Sequence, residues 1–447
     1  MVRQRMTRRR FLAKAGATAA GLAVLGLGAQ CGATPEPTAT PVVVKEVATP
    51  APPEVKGKLV FWAWDEPISE LLKKGFEAKF PEATAEHEII SDYNNTFYTS
   101  LVAGAGLPDA AWIDSHTYQK LARTGQLTPL DDLLAPYKSD ILEFLWKSGL
   151  YEGVQYGAPR RYAPEVLYYR KDRFEEAGID PEDIKTWDDF IELGKLAGTD
   201  EKHYMTCYDS TGFDYAYQSM LFGKEGTGFF DAEDNVVVNS DENLALTEKY
   251  LELVKSGVAR AIELWTPDWY DAARTGQIAC LVMPYWYGSE PRVEMPDTAG
   301  KWAIMRIPSL ERGVENASVW QGAMLWVIPA KAKNKELGWK FIEYTTFDYE
   351  DEYMQESMDR EFILPAYVKF LETDYFWKDA LDFFGVNLRK QAHELARGAP
   401  VNYLPPEYNE SVTILTAELV KAIGGEQTAK QMLDNCAKGF EDLLKAR

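Results

Sequence analysis

The chain has 447 residues, with 48 Lys and Arg against 69 Asp and Glu, a formal charge of −21. A surface this acidic repels nucleic acid and anionic lipid, and it weighs against an anionic cargo unless a local basic pocket overrides the field. Four sparse cysteines make no disulfide framework, and His87, His116, His203 and His393 form no HExxH or CxxC-type cluster, so neither a metal site nor a cofactor is expected.

The N-terminus opens on Thr7-Arg8-Arg9-Arg10-Phe11-Leu12, followed by an uncharged Gly- and Ala-rich run from Ala15 to Ala29. A spanning helix wants about 20 strongly apolar residues, so this run reads as an export signal over 1–31. Twin arginines before a weakly apolar stretch resemble the address of the bacterial route for folded proteins. Leu27-Gly28-Ala29-Gln30-Cys31 resembles a lipoprotein cleavage box with Cys31 as the lipidated residue, although Gln30 replaces the usual small residue. The location expected is therefore extracytoplasmic, with membrane attachment through that lipid. The signal holds six cations (Arg3, Arg5, Arg8, Arg9, Arg10, Lys14) and no acid, so its loss takes the formal charge from −21 to −27. Residues 32–56, rich in Pro and Thr, form a semi-rigid tether with little to bury.

About 390 residues remain, enough for two lobes at about 100–200 residues per domain. Lys58-Leu-Val-Phe-Trp-Ala-Trp64 reads as a strand covered on both faces. Pro67 opens a helix with Ile68, Leu71, Leu72, Phe76 and Phe80 on one side. A second strand, Ala110-Ala-Trp-Ile113, ends at Asp114. Thr186-Trp-Asp-Asp189 resembles a capping box with Asp in the place of Glu. Asp231-Ala-Glu233-Asp234-Asn235 lacks the glycine of a calcium loop and reads as an acidic turn. Ile278 to Met283 is a buried strand running into Pro284-Tyr-Trp-Tyr-Gly288. The last helix starts at Thr428, with Met432, Leu433, Cys436, Phe440 and Leu443 on one face. Such alternation builds α/β layers with mostly parallel sheets.

The chemistry clusters where strands end: Trp62, Trp64, Asp65 and Glu66; then Trp112 and Asp114; then Tyr285, Trp286 and Tyr287. Ligands of open α/β sheets sit outside the carboxyl ends of strands. Aromatics interleaved with acids suit a sugar, whose C–H face covers a ring while its hydroxyl rim needs polar partners. A buried hydroxyl left unpaired costs about 1–3 kcal/mol, which sets orientation.

The order of motifs resembles that of extracellular solute-binding proteins of ABC importers, the branch that includes maltose- and glycerol-phosphate-binding proteins. The stretches that carry the resemblance are Lys58-Leu-Val-Phe-Trp, Leu101-Val-Ala-Gly-Ala-Gly-Leu-Pro-Asp109, Gln126-Leu-Thr-Pro-Leu130, Gly153-Val-Gln-Tyr-Gly-Ala-Pro159, Val166-Leu-Tyr-Tyr-Arg-Lys-Asp172 and Ala272-Ala-Arg-Thr-Gly-Gln-Ile-Ala279. Val327-Ile-Pro-Ala330 and Gly338-Trp-Lys-Phe-Ile342 continue it. The resemblance implies a two-lobed periplasmic-binding-protein fold, with one lobe over 57–159 and 305–343 and the other over 160–304 and 344–447. Crossovers are implied near Ala158–Tyr162, Trp302–Pro308 and Ile342–Thr346. The implied ligand contacts are Asp65, Glu66, Trp112, Asp114, Tyr162, Tyr208, Asp209, Trp286, Trp320, Gln321 and Tyr408, with no catalytic residue. Arg160 and Arg161 depart from the apolar residues usual at that crossover, so Arg160 joins the candidates and leaves room for a phosphate or carboxylate on the cargo. The implied partners are a carbohydrate and the ABC permease, with the receptor a monomer.

A lipid-anchored glycoside hydrolase is the rival class, and needs two carboxylates about 5–10 Å apart across the scissile bond. The pairs Asp65/Glu66 and Asp188/Asp189 are sequence neighbours, and no GxSxG, phosphate loop or Cys/His pair occurs. A receptor serving a sensor rather than a permease has the same sequence signature.

Overall fold

The computed structural model describes residues 55–446 apart from 199–201, 225–226, 320–322, 379–382 and 401–402. The export signal, Cys31 and most of the tether lie outside the described residues, as do Trp320 and Gln321. In chain order the strands are β1 (Gly57–Trp62), β2 (Ala83–Glu88), β3 (Ala110–Asp114), β4 (Leu150–Tyr151), β5 (Val154–Gln155), β6 (Ala158–Tyr162) and β7 (Glu165–Arg170). They continue with β8 (Thr206–Asp209), β9 (Ala259–Ile262), β10 (Cys280–Pro284), β11 (Trp302–Met305), β12 (Met324–Val327) and β13 (Leu364–Pro365).

Two α/β lobes result. The first is built on a six-stranded sheet in the order β13-β6-β12-β3-β1-β2, the second on β10-β7-β11 with the pair β8-β9 beside it. The apolar run of β1 is covered on both sides, as its composition requires. Leu59 and Phe61 pack with Phe341 and Trp326 on one face, while Trp62 joins Phe97 and Leu101 on the other. The helix Glu66–Lys79 buries Ile68, Leu71, Leu72 and Phe76, and Asp65 caps it by accepting from the Ile68 N–H at 3.0 Å. Both anticipated capping boxes form, at Thr186/Asp189 and at Thr428/Gln431. Asp109, which ends the Leu-Pro-Asp stretch, is buried: its carboxylate accepts from the N–H groups of Val60 and Asn334. That motif therefore ties β1 to the chain before the helix Lys335–Phe347.

The sheets are mixed rather than mostly parallel, which corrects the reading of strand and helix alternation. Among the described strands, β1 with β2 and β3, and β8 with β9, pair in parallel; β12 runs against both β3 and β6, and β7 runs against β10 and β11. Parallel neighbours need a long crossover. The strands that carry the chain between lobes instead arrive and leave directly: β6 leads into β7 through residues 163–164, and β11 of the second lobe precedes β12 of the first. The third passage does not lie at Ile342–Thr346. The helix Glu352–Glu361 packs on the helix Glu66–Lys79, and β13 then pairs with β6, so the chain stays with the first sheet through Pro365. A boundary at 343/344 falls inside the helix Lys335–Phe347.

The lobes touch along the helices Ser115–Ala122 and Tyr408–Ile423. Lys120 Nζ lies 2.6 Å from Glu410 Oε1, and Arg123 pairs with Glu407. No helix among the described residues is long and apolar enough to cross a membrane.

Candidate functional site

The ends of β1, β3 and β6 bring charge to one place on the first lobe. Across the sheet, Asp114 pairs with Met324, and Met324 with Arg161, so Asp114 and Arg161 stand two strands apart, about 10 Å at the usual strand spacing. The charges of Glu361, Asp114 and Asp65 all act on the Arg161 guanidinium, and Asp65 feels Glu361 and both arginines. Burial, the largest influence, pushes the Asp65 carboxyl above the usual carboxylate range; the cap bond from Ile68 opposes it. Glu66 follows as the first, exposed residue of the helix. Trp64, 39% exposed, sits above this group with its ring 5.4 Å from Trp112 and 5.5 Å from Tyr93.

The second lobe contributes rings. Trp286 lies half-buried in the turn after β10 and stacks on Trp265, with centroids 5.9 Å apart and planes at 12°. Trp265 is 39% exposed, and its φ of 66° is a conformation that non-glycine residues seldom adopt. Its indole is backed by Trp269, Tyr270 and Tyr287.

The two groups join. His116 Nε2 lies 3.8 Å from Asp114 Oδ2, and its ring is 6.0 Å from Tyr408. Tyr215 stands edge-on to Trp265 at 6.4 Å, and Trp265 stacks on Trp286. His116 and Tyr408 thus bring the acid end of the first lobe against the second.

Five residues expected at the ligand are committed to the protein instead. Trp112 is fully buried between Trp64 and Trp326, with Arg160 over its ring at 5.4 Å. Arg160 is also fully buried. Its Nη1 donates to both Glu361 oxygens at 3.1 and 2.8 Å, Nη2 to Ser357 Oγ, and Nε to the Thr345 carbonyl. With four of its five N–H donors spent and no exposure, this guanidinium is not open to a phosphate on the cargo. Tyr162 is buried with its hydroxyl 3.0 Å from His393 Nδ1. Asp209 closes its own turn, accepting from the N–H and Oγ of Thr211 at 2.7 Å each. Tyr408 is 2% exposed, stacks on Phe229 and donates to Gln218 Oε1 at 3.2 Å. Tyr208 stays half-buried beside Asp209 on β8.

Asp65, Glu66, Asp114 and Trp286 therefore remain candidates, and the structure adds Trp64, Trp265, Arg161 and His116. Trp64 was visible as a strand-end aromatic. Trp265 carries no motif beyond the helix start Thr266-Pro267 that follows it. Asp231 accepts from Asn235 and Glu233, an acidic turn as read, and the described residues hold no group of three metal-ligating side chains. Cys207, Cys280 and Cys436 are free thiols, and burial pushes Cys207 and Cys436 up to about 12.

Two α/β lobes exchanging strands directly, with polar and aromatic groups meeting between them, define the clamshell of a solute-binding protein. The chain belongs to the bacterial extracellular solute-binding protein family, whose model matches residues 63–348. It is 28% identical over 302 residues to the arabinooligosaccharide-binding protein of Halalkalibacterium halodurans, a match covering 64% of this chain and 66% of that one. To the lactose-binding protein of Rhizobium radiobacter it is 29% identical over 301 residues, covering 63% of this chain and 68% of the other. The chain thus spans about two thirds of the length of these relatives. The ABC transporter associated binding protein from B. animalis subsp. lactis Bl-04, solved with β-1,6-galactobiose, shares the fold. It superposes with a TM-score of 0.73 at 22% identity, over 88% of this chain and 98% of that chain.

Proposed function

We propose that the protein captures a neutral oligosaccharide between its lobes, leaves it chemically unchanged, and delivers it to the permease of an ABC importer. Asp65, Glu66 and Asp114 accept hydrogen bonds from the hydroxyl rim, Arg161 donates to it, and Trp64, Trp265 and Trp286 receive the C–H faces. Tyr208, Trp320 and Gln321 are assigned to the same ligand by their place in the family's motif order. Cys31 carries the lipid, and residues 32–56 give the receptor reach above the membrane. Ligand contacts made by both lobes exist only when they are closed, so binding shifts the population toward closure by hinge motion.

The observation that supports this most is the meeting of Asp114 and His116 on the first lobe with Tyr408 of the second, the lobe that also presents the stacked Trp265 and Trp286. Acids and rings meeting across one gap suit a sugar. A phosphorylated or acidic cargo fits less well, because Arg160 and Arg161 face three acids: Glu361, Asp65 and Asp114. Asp65 is a helix cap and Glu66 its exposed neighbour, a poor pair to flank a scissile bond.

The test uses protein lacking residues 1–31. Neutral oligosaccharides should change Trp emission and raise the melting temperature in proportion to occupancy, with the sugar recovered intact. Hydrolysis of the sugar would place the protein among the glycosidases, and a neutral panel that leaves both signals unmoved would sink the receptor reading.

A further inference from the structure

The two helices that join the lobes carry opposite charges where they touch. On the helix Ser115–Ala122 and its cap, His116, Lys120 and Arg123 follow one another at spacings of four and three residues, which puts them on one face. The first turn of the helix Tyr408–Ile423 lies across that face. His116 meets the Tyr408 ring at 6.0 Å, Lys120 Nζ meets Glu410 Oε1 at 2.6 Å, and Arg123 pairs with Glu407. At 1.5 Å per residue these contacts spread over about 10 Å of the first helix, so they fix the angle between the lobes as well as their distance. The signs also suit the helix ends, since the cations close one helix and the acids open the other.

Each lobe holds its own half of this contact in place. The Lys120 ammonium lies 5.5 Å over the ring of Tyr98, on the first lobe. Glu407 is buried, and its neighbour Tyr408 stacks on Phe229 of the second lobe. Among the described residues Lys120 and Arg123 have no other acid within ion-pair distance, and Glu410 has no other cation. None of these four charges is a ligand candidate. The helix that bears the cations nevertheless follows Asp114 directly, so a hinge rotation that widens the gap beside Asp114 draws it away from Glu407 and Glu410.

We infer that Lys120–Glu410 and Arg123–Glu407 form a latch between the lobes, which favours the closed form and sets how tightly cargo is held without touching it. The inference rests on the receptor reading above and adds to it a control of affinity outside the ligand site. Whatever stabilises the closed form relative to the open one raises the apparent affinity of a ligand held by closure. Three of the four side chains are partly exposed, so salt screens the pairs. Retention of an uncharged sugar should therefore weaken as salt rises, although the sugar itself offers no charge to screen.

The experiment is a double-mutant cycle on protein lacking residues 1–31, titrated with neutral arabino-, galacto- and gluco-oligosaccharides. Lys120→Gln/Arg123→Gln and Glu407→Gln/Glu410→Gln should each weaken binding of the sugar that binds by about three- to tenfold, chiefly through faster release. All four changes together should cost no more than either pair, because each pair already removes the same bonds. Between about 0.01 and 1 M NaCl, where the screening length falls from about 30 to about 3 Å, wild-type affinity should drop toward that of the quadruple variant. Melting curves establish folding; if the acid variant does not fold, the cation variant and its salt series decide. Unchanged or tighter binding, or losses that simply add, overturns the latch and leaves the receptor reading standing. If no sugar binds, that reading fails and X-ray scattering decides the latch: Glu407→Lys/Glu410→Lys should enlarge the radius of gyration, and an unchanged value overturns it.

Discussion

On the first lobe the groups proposed for the ligand are, Trp64 apart, charged and held among other charges; on the second they are rings held by other rings. Arg161 stands where Glu361, Asp65 and Asp114 all act on it, and Glu361 in turn is held by the fully buried Arg160. Trp286 leans on Trp265, which leans on Trp269 and Tyr287. Orientation of a sugar depends on hydrogen bonds with narrow geometry, so the polar wall needs an ionic frame behind it. Contact area depends only on ring placement, which stacking supplies. The two walls should therefore fail differently: the first through stability, the second through affinity.

The largest effect is expected at Glu361. Glu361→Gln leaves the fully buried Arg160 and the partly buried Arg161 without their shared countercharge, and should destabilise the empty protein by about 3–5 kcal/mol in chemical denaturation. A loss below about 1 kcal/mol would mean the ionic frame is dispensable. Next comes Trp286→Ala, which should weaken sugar binding by about 1–3 kcal/mol and lower Tm far less than Glu361→Gln does. A melting loss as large as that of Glu361→Gln would erase the contrast between the walls.

The smallest and most informative change is Asp65→Asn. Burial raises the Asp65 pKa, so folding favours the protonated form. That contribution is fully present below the unfolded pKa and is lost as pH rises through the folded one. Asparagine keeps the cap, because Asn and Asp serve almost equally at that position. Wild type and variant should therefore have matching stability in acid, with the variant equal or slightly more stable at neutral pH. Sugar affinity should still fall, by about 1–3 kcal/mol, from the lost acceptor. Melting curves across pH with parallel titrations check both, and a variant that loses stability at neutral pH would refute the sign.

Local features were legible because local physics makes them. The caps at Thr186 and Thr428, the buried run of β1 and the turn after β10 each follow from a few adjacent residues. The direction of strand pairing was not, since β12 reaches β3 and β6 from far along the chain. Tyr408 and Trp112 illustrate the limit at the site. Both are aromatic at motif positions, yet Tyr408 stacks on Phe229 and Trp112 lies between Trp64 and Trp326, contacts that no local pattern announces.

Arg160 and Arg161 divide most clearly what each level decides. They sit at a bulge of β6, where Met324 opposes Arg161 and Leu325 opposes Pro159, and both reach Glu361. How deeply each is buried depends on that carboxylate, 201 residues from Arg160, and on the helix that carries it onto the first sheet. The sequence by itself determined the caps, the amphipathic faces, the family's motif order and the acidic charge, because those depend on neighbours or on sums. The tertiary structure alone decided which arginine is fully buried and which stays partly exposed, because burial and ion pairing are settled by residues distant in the chain.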